Sequence, residues 1–189
     1  MTDFKDFTFE IYNEDELTWQ QHNQIHTALN LAYSNRTQTF LKKSYGYSIP
    51  LKRILCFHNE QLVGHVALFA STLILSPNQF LKIGGIGMTL SLMPNHKIGH
   101  ELRKRTSRLA AELGYPFAVG RVRNTEAVKE NLRDLTIDFL DVPLIGNTTE
   151  SHEWETLAIY TAKGESDLLK NILQEIKKAG HLKIAGEVF

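Results

Sequence analysis

Between Arg53 and Leu92 three apolar runs follow one another with only short turns between them. Arg53-Ile54-Leu55-Cys56-Phe57-His58 is parted by Asn59-Glu60 from Gln61-Leu62-Val63-Gly64-His65-Val66-Ala67-Leu68-Phe69, and Pro77-Asn78 marks the turn into a glycine-rich run from Phe80 to Leu92. Two parallel strands need a crossover of a dozen or more residues between them. Connections this short therefore make the three runs an antiparallel meander.

The flanks supply the helices. Phe7-Thr8-Phe9-Glu10-Ile11-Tyr12 alternates apolar with polar residues, as a half-buried strand does. Asn13-Glu14-Asp15-Glu16 places acids where a helix N-terminus favours them, and Ile25, Leu29 and Tyr33 then share one helical stripe. A second helical stretch over Arg36–Lys43 is broken by Tyr45-Gly46-Tyr47 and Pro50. After the meander, Lys97–Leu113 reads as a helix with Ile98, Leu102, Leu109 and Leu113 on one stripe; Gly114 caps it and Pro116 stops it. Pro116–Val122 is a buried strand and Thr125–Leu135 an amphipathic helix. Strands over Phe139–Ile145 and Thr156–Thr161, a helix over Ser166–Lys178 and a strand over His181–Phe189 follow. No repeat or linker divides the chain, so residues 1–189 are expected to form a single mixed α/β (α+β) domain.

Composition narrows the function classes. Lys+Arg and Asp+Glu both number 21, and a balanced charge argues against a nucleic-acid binder, whose phosphate-contacting face leaves a basic surplus. The single cysteine, Cys56, excludes an internal disulfide framework and a zinc site of several thiolates. The polar start Met1-Thr2-Asp3-Phe4-Lys5-Asp6 is no signal peptide, and no run of about 18 apolar residues offers a membrane span. A cytoplasmic location is the expectation.

Several residues are candidates for chemistry. The amides near Lys97, Ile98 and Gly99 open a helix, where unsatisfied N–H groups and the helix dipole favour an anion; Arg103 and Lys104 lie about a turn further on. From the residues alone, an ordinary amphipathic helix with a solvated basic face is the plainer reading of the same positions. Gly84-Gly85-Ile86-Gly87 lacks the third glycine and the later acid of a dinucleotide fingerprint. Close approach to the strand backbone explains these glycines more simply. His65 shares a strand face with Val63 and Ala67 and is either a hydrogen-bonded core histidine or a base for proton transfer. Cys56, between Leu55 and Phe57, reads as a small buried hydrophobe. The eight histidines show no metal-binding spacing, so no metal is implied.

The element order, with three local motifs, resembles the GNAT acyltransferase superfamily. Gln61-Leu62-Val63-Gly64-His65-Val66-Ala67 is similar to its "V-G-H" strand opening. Leu92-Met93-Pro94 followed by Lys97-Ile98-Gly99-His100-Glu101-Leu102 is similar to the acyl-donor loop and helix start. Glu112-Leu113-Gly114-Tyr115-Pro116-Phe117-Ala118-Val119-Gly120-Arg121-Val122-Arg123 resembles the matching stretch of the nodulation-protein-A-type N-acyltransferases, which also carry a histidine at the place of His65. The donor loop lacks the usual arginine and first glycines, and the position of the family's acid tyrosine falls on Asn131.

The resemblance implies a mixed, largely antiparallel sheet with helices on both faces, and N-acyl transfer by direct attack of an amine on a thioester. The donor is then acyl-CoA or an acyl-carrier-protein phosphopantetheine, held at Met88, Thr89, Leu90, Lys97, Ile98 and Gly99. His65 is the candidate catalytic base. The acceptor is a small-molecule or oligosaccharide amine, and a homodimer is one option for the assembly. A medium or long acyl chain is expected, with Phe57, Phe69, Phe80 and Phe117 around the site region. A catalytically silent ligand-binding or sensor protein on the same fold is the alternative.

Overall fold

The computed structural model describes residues 4–33, 44–45, 48–132, 135–146, 156–161 and 167–185. The helix expected over residues 36–43 lies outside them, as do Ser166 and residues 186–189 at the ends of two further expected elements.

The first strand, β1 (Phe7–Asn13), leads through a 3-10 turn (Glu14–Glu16) into α1 (Trp19–Ala32). Thr18 caps this helix. Its Oγ accepts the Gln21 N–H at 3.2 Å, and the Gln21 side chain accepts the Thr18 N–H at 2.9 Å, so each satisfies a donor that the first turn leaves open. The meander follows as β2 (Lys52–His58), β3 (Gln61–Ser76) and β4 (Gln79–Ser91), each antiparallel to the last. Asn59 and Glu60 turn the first hairpin at φ 48° and 62°, the left-handed pair that matches the twist of the flanking strands.

Next, α2 (Ile98–Glu112) crosses back so that β5 (Ala118–Val122) lies parallel to β4. The remaining elements are α3 (Thr125–Asn131), β6 (Thr136–Leu140), β7 (Leu144–Ile145), β8 (Thr156–Thr161), α4 (Asp167–Ala179) and β9 (Leu182–Ala185). The single strand expected over Phe139–Ile145 is two strands. Pro143 has no N–H for a ladder, and the chain leaves the sheet there before resuming as β7.

The sheet order is β1-β2-β3-β4-β5-β8-β6, with β9 added to the outer half of β3 at Thr72 and Leu73. Its pairings are antiparallel except β4 with β5 and β7 with β9. Strand alternation sorts the core onto two faces. Ile54, Cys56, Val66, Leu68, Ile86 and Ala118 pack with Ile98 and Leu102 of α2. On the opposite face Leu55 and Leu90 meet Ile25 and Leu29 of α1, while Val119, Leu157 and Ile159 meet Leu169, Ile172 and Ile176 of α4. Leu113, expected on the buried stripe, is 42% exposed, because α2 has ended at Glu112 and Leu113 is already its C-cap.

Gly64 permits α2 to lie this close. A Cβ at Gly64 would sit 2.6 Å from Ile98 Cγ2 and 3.2 Å from Cys56 Cβ, so the helix rests on bare backbone of β3. The start of α2 is thereby set against the middle of the meander.

Candidate functional site

An opening in the sheet lies beside the start of α2. β4 and β5 pair only from Gly84 opposite Ala118 to Ile86 opposite Gly120. Beyond that point β4 runs on to Ser91 and β5 to Val122 without pairing, while β5 keeps its other edge on β8 from Ala118 to Val122. The two strands part, and the β5-facing edge of β4 from Gly87 onward has no strand partner among the described residues. Gly99, in the first turn of α2, borders this edge: a Cβ built on it would reach Thr89 Cγ2 at 4.0 Å. Lys97 is the N-cap, exposed and left-handed at φ 55°, and gives no side-chain bond to the helix start. The His100 and Glu101 N–H groups donate to the Lys97 carbonyl at 3.0 and 3.1 Å, which leaves the Ile98 and Gly99 amides open to an anion, beside a strand edge able to bond the amides of an extended ligand.

A bulge interrupts β4 at this place. His65 lies opposite Leu90 and Ala67 opposite Gly87, leaving Val66 to face both Met88 and Thr89. Met88 takes φ 50°, a left-handed conformation that costs an L-residue about 1–2 kcal/mol. Two side chains hold it. The Met88 carbonyl accepts from His65 Nδ1 at 3.0 Å, and the Thr89 carbonyl accepts from the Tyr33 hydroxyl at 2.7 Å.

Behind His65 stands an ion pair whose cation is buried and whose carboxylate is partly exposed. Arg53, on β2, is 0% exposed and uses all of its N–H donors. Nε and Nη2 bind the Glu14 carboxylate at 2.6 and 2.8 Å, Nη1 donates to the Ser44 carbonyl at 2.9 Å, and Nη2 donates to Ser44 Oγ at 3.1 Å. The remaining Nη1 hydrogen meets His65 Nε2 at 3.0 Å. Ser44 Oγ in turn lies 2.7 Å from His22 Nδ1 on α1. A guanidinium has no lone pair to offer, so His65 Nε2 must be the acceptor and Nδ1 must carry the proton. Burial, then the neighbouring Arg53 charge, push the His65 imidazole down to about 3, and it is neutral at physiological pH.

That geometry corrects the base expected at His65. Both ring nitrogens are engaged and the side chain is 0% exposed, so no lone pair faces an acceptor amine. Of the expected donor-binding residues, Met88, Thr89, Lys97 and Gly99 lie at the opening. Leu90 and Ile98 are 4% and 0% exposed and are core side chains, which leaves their backbone alone to contribute. The four phenylalanines expected around the site are scattered. Phe80 is 57% exposed at the far hairpin, Phe117 packs in the α4 cluster, and Phe57 borders the α1 cluster. Phe69 is buried on β3 opposite Gly85, so the four rings sit at four separate places in the fold. Cys56 is inert: burial pushes its thiol up to about 12. His58 and His96 pack on the Phe7 ring at 4.9 and 5.7 Å between centroids.

Tyr160, beside the opening, is a residue that the sequence does not single out. Among the described residues three buried side-chain atoms have no hydrogen-bond partner: His100 Nδ1, the Tyr160 hydroxyl and Thr161 Oγ1. Tyr160 lies beside Gly120, where a Cβ would come within 3.4 Å of its Cε2 and 3.2 Å of the Ile86 carbonyl. Gly120 and Ile86 are the last pair before β4 and β5 part. Burial raises the Tyr160 phenol and the Arg103 charge lowers it, while burial, Arg103 and Lys97 lower His100. Tyr160 and His100 thus share the field of Arg103 near the opening. No three His, Cys, Asp or Glu side chains among the described residues are grouped to hold a metal ion. No described helix is long and apolar enough to cross a membrane.

No family profile and no curated protein sequence matches the chain. Solved structures do match its fold. Escherichia coli ElaA superposes with a TM-score of 0.57 at 10% identity, covering 82% of this chain and 99% of that one. An acyl-CoA N-acyltransferase from Pseudomonas aeruginosa gives 0.56 at 11% identity, with the same coverages of 82% and 99%. The Escherichia coli GNAT-family N-acetyltransferase YhbS, solved in complex with CoA, gives 0.57 at 10% identity over 96% of this chain and 90% of its own. The chain has the GNAT fold, a mixed and largely antiparallel sheet with helices on both faces.

Proposed function

We propose that the protein is an acyltransferase that moves an acyl group from a coenzyme A or carrier-protein thioester to an amine. The observation that carries this reading is the parting of β4 from β5 beside the uncapped start of α2. A phosphopantetheine arm needs a strand edge for its amides and an anion site for its phosphate, and the two adjoin here at Thr89 and Gly99. GNAT-fold neighbours described as an acyl-CoA N-acyltransferase and as a CoA complex support the donor class.

In this reading the amine nitrogen attacks the thioester carbonyl and a C–N bond forms. The oxyanion is met by backbone N–H groups of β4, and collapse breaks the C–S bond to release the thiolate. His65 takes no proton, so the acceptor arrives as the neutral amine, and the proton that its nitrogen loses after attack passes to solvent, from which the thiolate can be protonated. The acceptor is a small-molecule or oligosaccharide amine.

Mass-spectrometric turnover of a thioester series from acetyl upward, on CoA and on a carrier protein, against simple amines tests the proposal and reads the acyl length. Acyl-amine product that depends on the protein supports it. CoA binding without product from any thioester points to a sensor instead.

A further inference from the structure

We infer that Arg53 is a positioning residue for acyl transfer, acting through His65 and the Met88 carbonyl on the Thr89 amide. The inference rests on the acyltransferase reading and adds residues which that reading leaves in the core. Arg53 lies on β2, two strands away from the opening, and is bound on every N–H. One of those bonds selects the His65 tautomer that carries its proton on Nδ1. That proton goes to the Met88 carbonyl, in the one peptide where β4 is bulged. In a trans peptide the carbonyl and the following N–H point in opposite directions. Tying Met88 O to His65 therefore turns the Thr89 N–H away from His65, and Tyr33 ties the Thr89 carbonyl in the same manner one peptide later. Without these bonds Met88 has a reason to relax from φ 50°, since an L-residue gains by leaving that region. The Glu14–Arg53–His65 series is thus a rigid backing for the strand edge against which the thioester is laid. A reacting group displaced by about 1 Å costs up to about 100-fold in rate.

The experiment compares Arg53→Lys, His65→Leu and His65→Asn with the wild type. Asparagine places an amide donor near the position of Nδ1, whereas leucine has none. Thermal melting establishes that each is folded, calorimetry with CoA reads the donor site, and kcat and KM are measured with one thioester and one amine. Expected are a kcat about tenfold or more lower in Arg53→Lys and His65→Leu, a thioester KM within about threefold of wild type, and rescue of kcat to within about threefold in His65→Asn. The Thr89 amide resonance, read by ¹⁵N NMR, should move in His65→Leu and stay in His65→Asn. Equal kcat in wild type and His65→Leu, or equal loss in His65→Leu and His65→Asn, overturns the inference. If Arg53→Lys does not fold, the two His65 variants decide. A wild type that neither binds CoA nor turns over any thioester overturns the acyltransferase reading instead. The Thr89 resonance then decides the positioning role alone, and an unmoved resonance in His65→Leu ends it.

Discussion

Arg53 Nη1 donates at 3.0 Å to His65 Nε2, the nitrogen that a general base would need free. Burial, and then the Arg53 charge that this bond sets beside the ring, explain why a histidine beside the candidate site is neutral and inactive toward protons. The same two causes make the acid stability of the protein a reading of the buried ring.

The first prediction is therefore a pH profile. The folded protein holds His65 neutral down to about 3, against 6.5 for the free side chain. Between those values the unfolded chain binds a proton that the folded chain refuses, so stability falls as pH falls. The His65 contribution is about 1.4 kcal/mol per pH unit from pH 6.5 downward, and it is absent above pH 7. The groups around the ring are the Arg53 guanidinium on β2 and the Met88 carbonyl on β4, with Glu14 beyond Arg53. Urea unfolding at pH 5, 6 and 7 measures the slope, and comparison with His65→Asn isolates it. A slope unchanged in that variant would show that His65 titrates normally.

Arg53 and Glu14 are expected to be strongly coupled. Arg53→Met leaves the carboxylate and Ser44 without their donors, and because Glu14 is 17% exposed the loss should fall below the roughly 3–5 kcal/mol of a fully buried pair. Adding Glu14→Gln removes the stranded charge and should recover part of the loss. Denaturant midpoints of the two single variants and the double variant complete the cycle. Additive losses would mean that the pair is not coupled.

How far the sequence showed all this depends on how local each cause is. The hairpin at Asn59-Glu60, the meander and the Ile98, Leu102 and Leu109 stripe are local patterns, and the structure has them where expected. The partnership of Arg53 with Glu14 spans 39 positions, and Glu14 was absorbed into a plausible acidic helix start. A strand pattern that begins with an arginine gives no sign that the arginine is buried. The bulge at Met88 was equally hidden, because it arises from the register between β3 and β4 and not from any turn residue. The glycines of the motif at Val63-Gly64-His65 and at Gly99 were readable as site features. What they do became clear only when α2 was laid against them.

Gly64 gives a third prediction. In Gly64→Ala the new methyl meets Ile98 Cγ2 at 2.6 Å, and Ile98 is buried at the start of α2. Overpacking of this kind costs about 1–3 kcal/mol. Because the helix start forms one wall of the opening, CoA affinity should fall together with the melting temperature. Calorimetry on folded Gly64→Ala protein checks this. A stable variant with full affinity would show that α2 shifts freely without affecting the donor site.

Tyr160 carries the last prediction. Its hydroxyl is buried without a partner beside Gly120, at the point where β4 and β5 separate. A buried hydroxyl left unbonded costs about 1–3 kcal/mol, so a protein has a physical reason to keep one only where something else bonds it. Tyr160→Phe removes the oxygen and keeps the ring. If the hydroxyl serves the donor, the ligand-free variant should melt higher than wild type, by the order of 1 kcal/mol in stability, while its affinity for CoA falls by about tenfold. The opposite signs are what make the test sharp, because a core defect lowers both quantities and a neutral core position changes neither. Differential scanning calorimetry with and without CoA supplies both numbers from the same samples. A variant that melts lower than wild type and binds CoA equally well would show that Tyr160 is bonded within the core and has no part in the site.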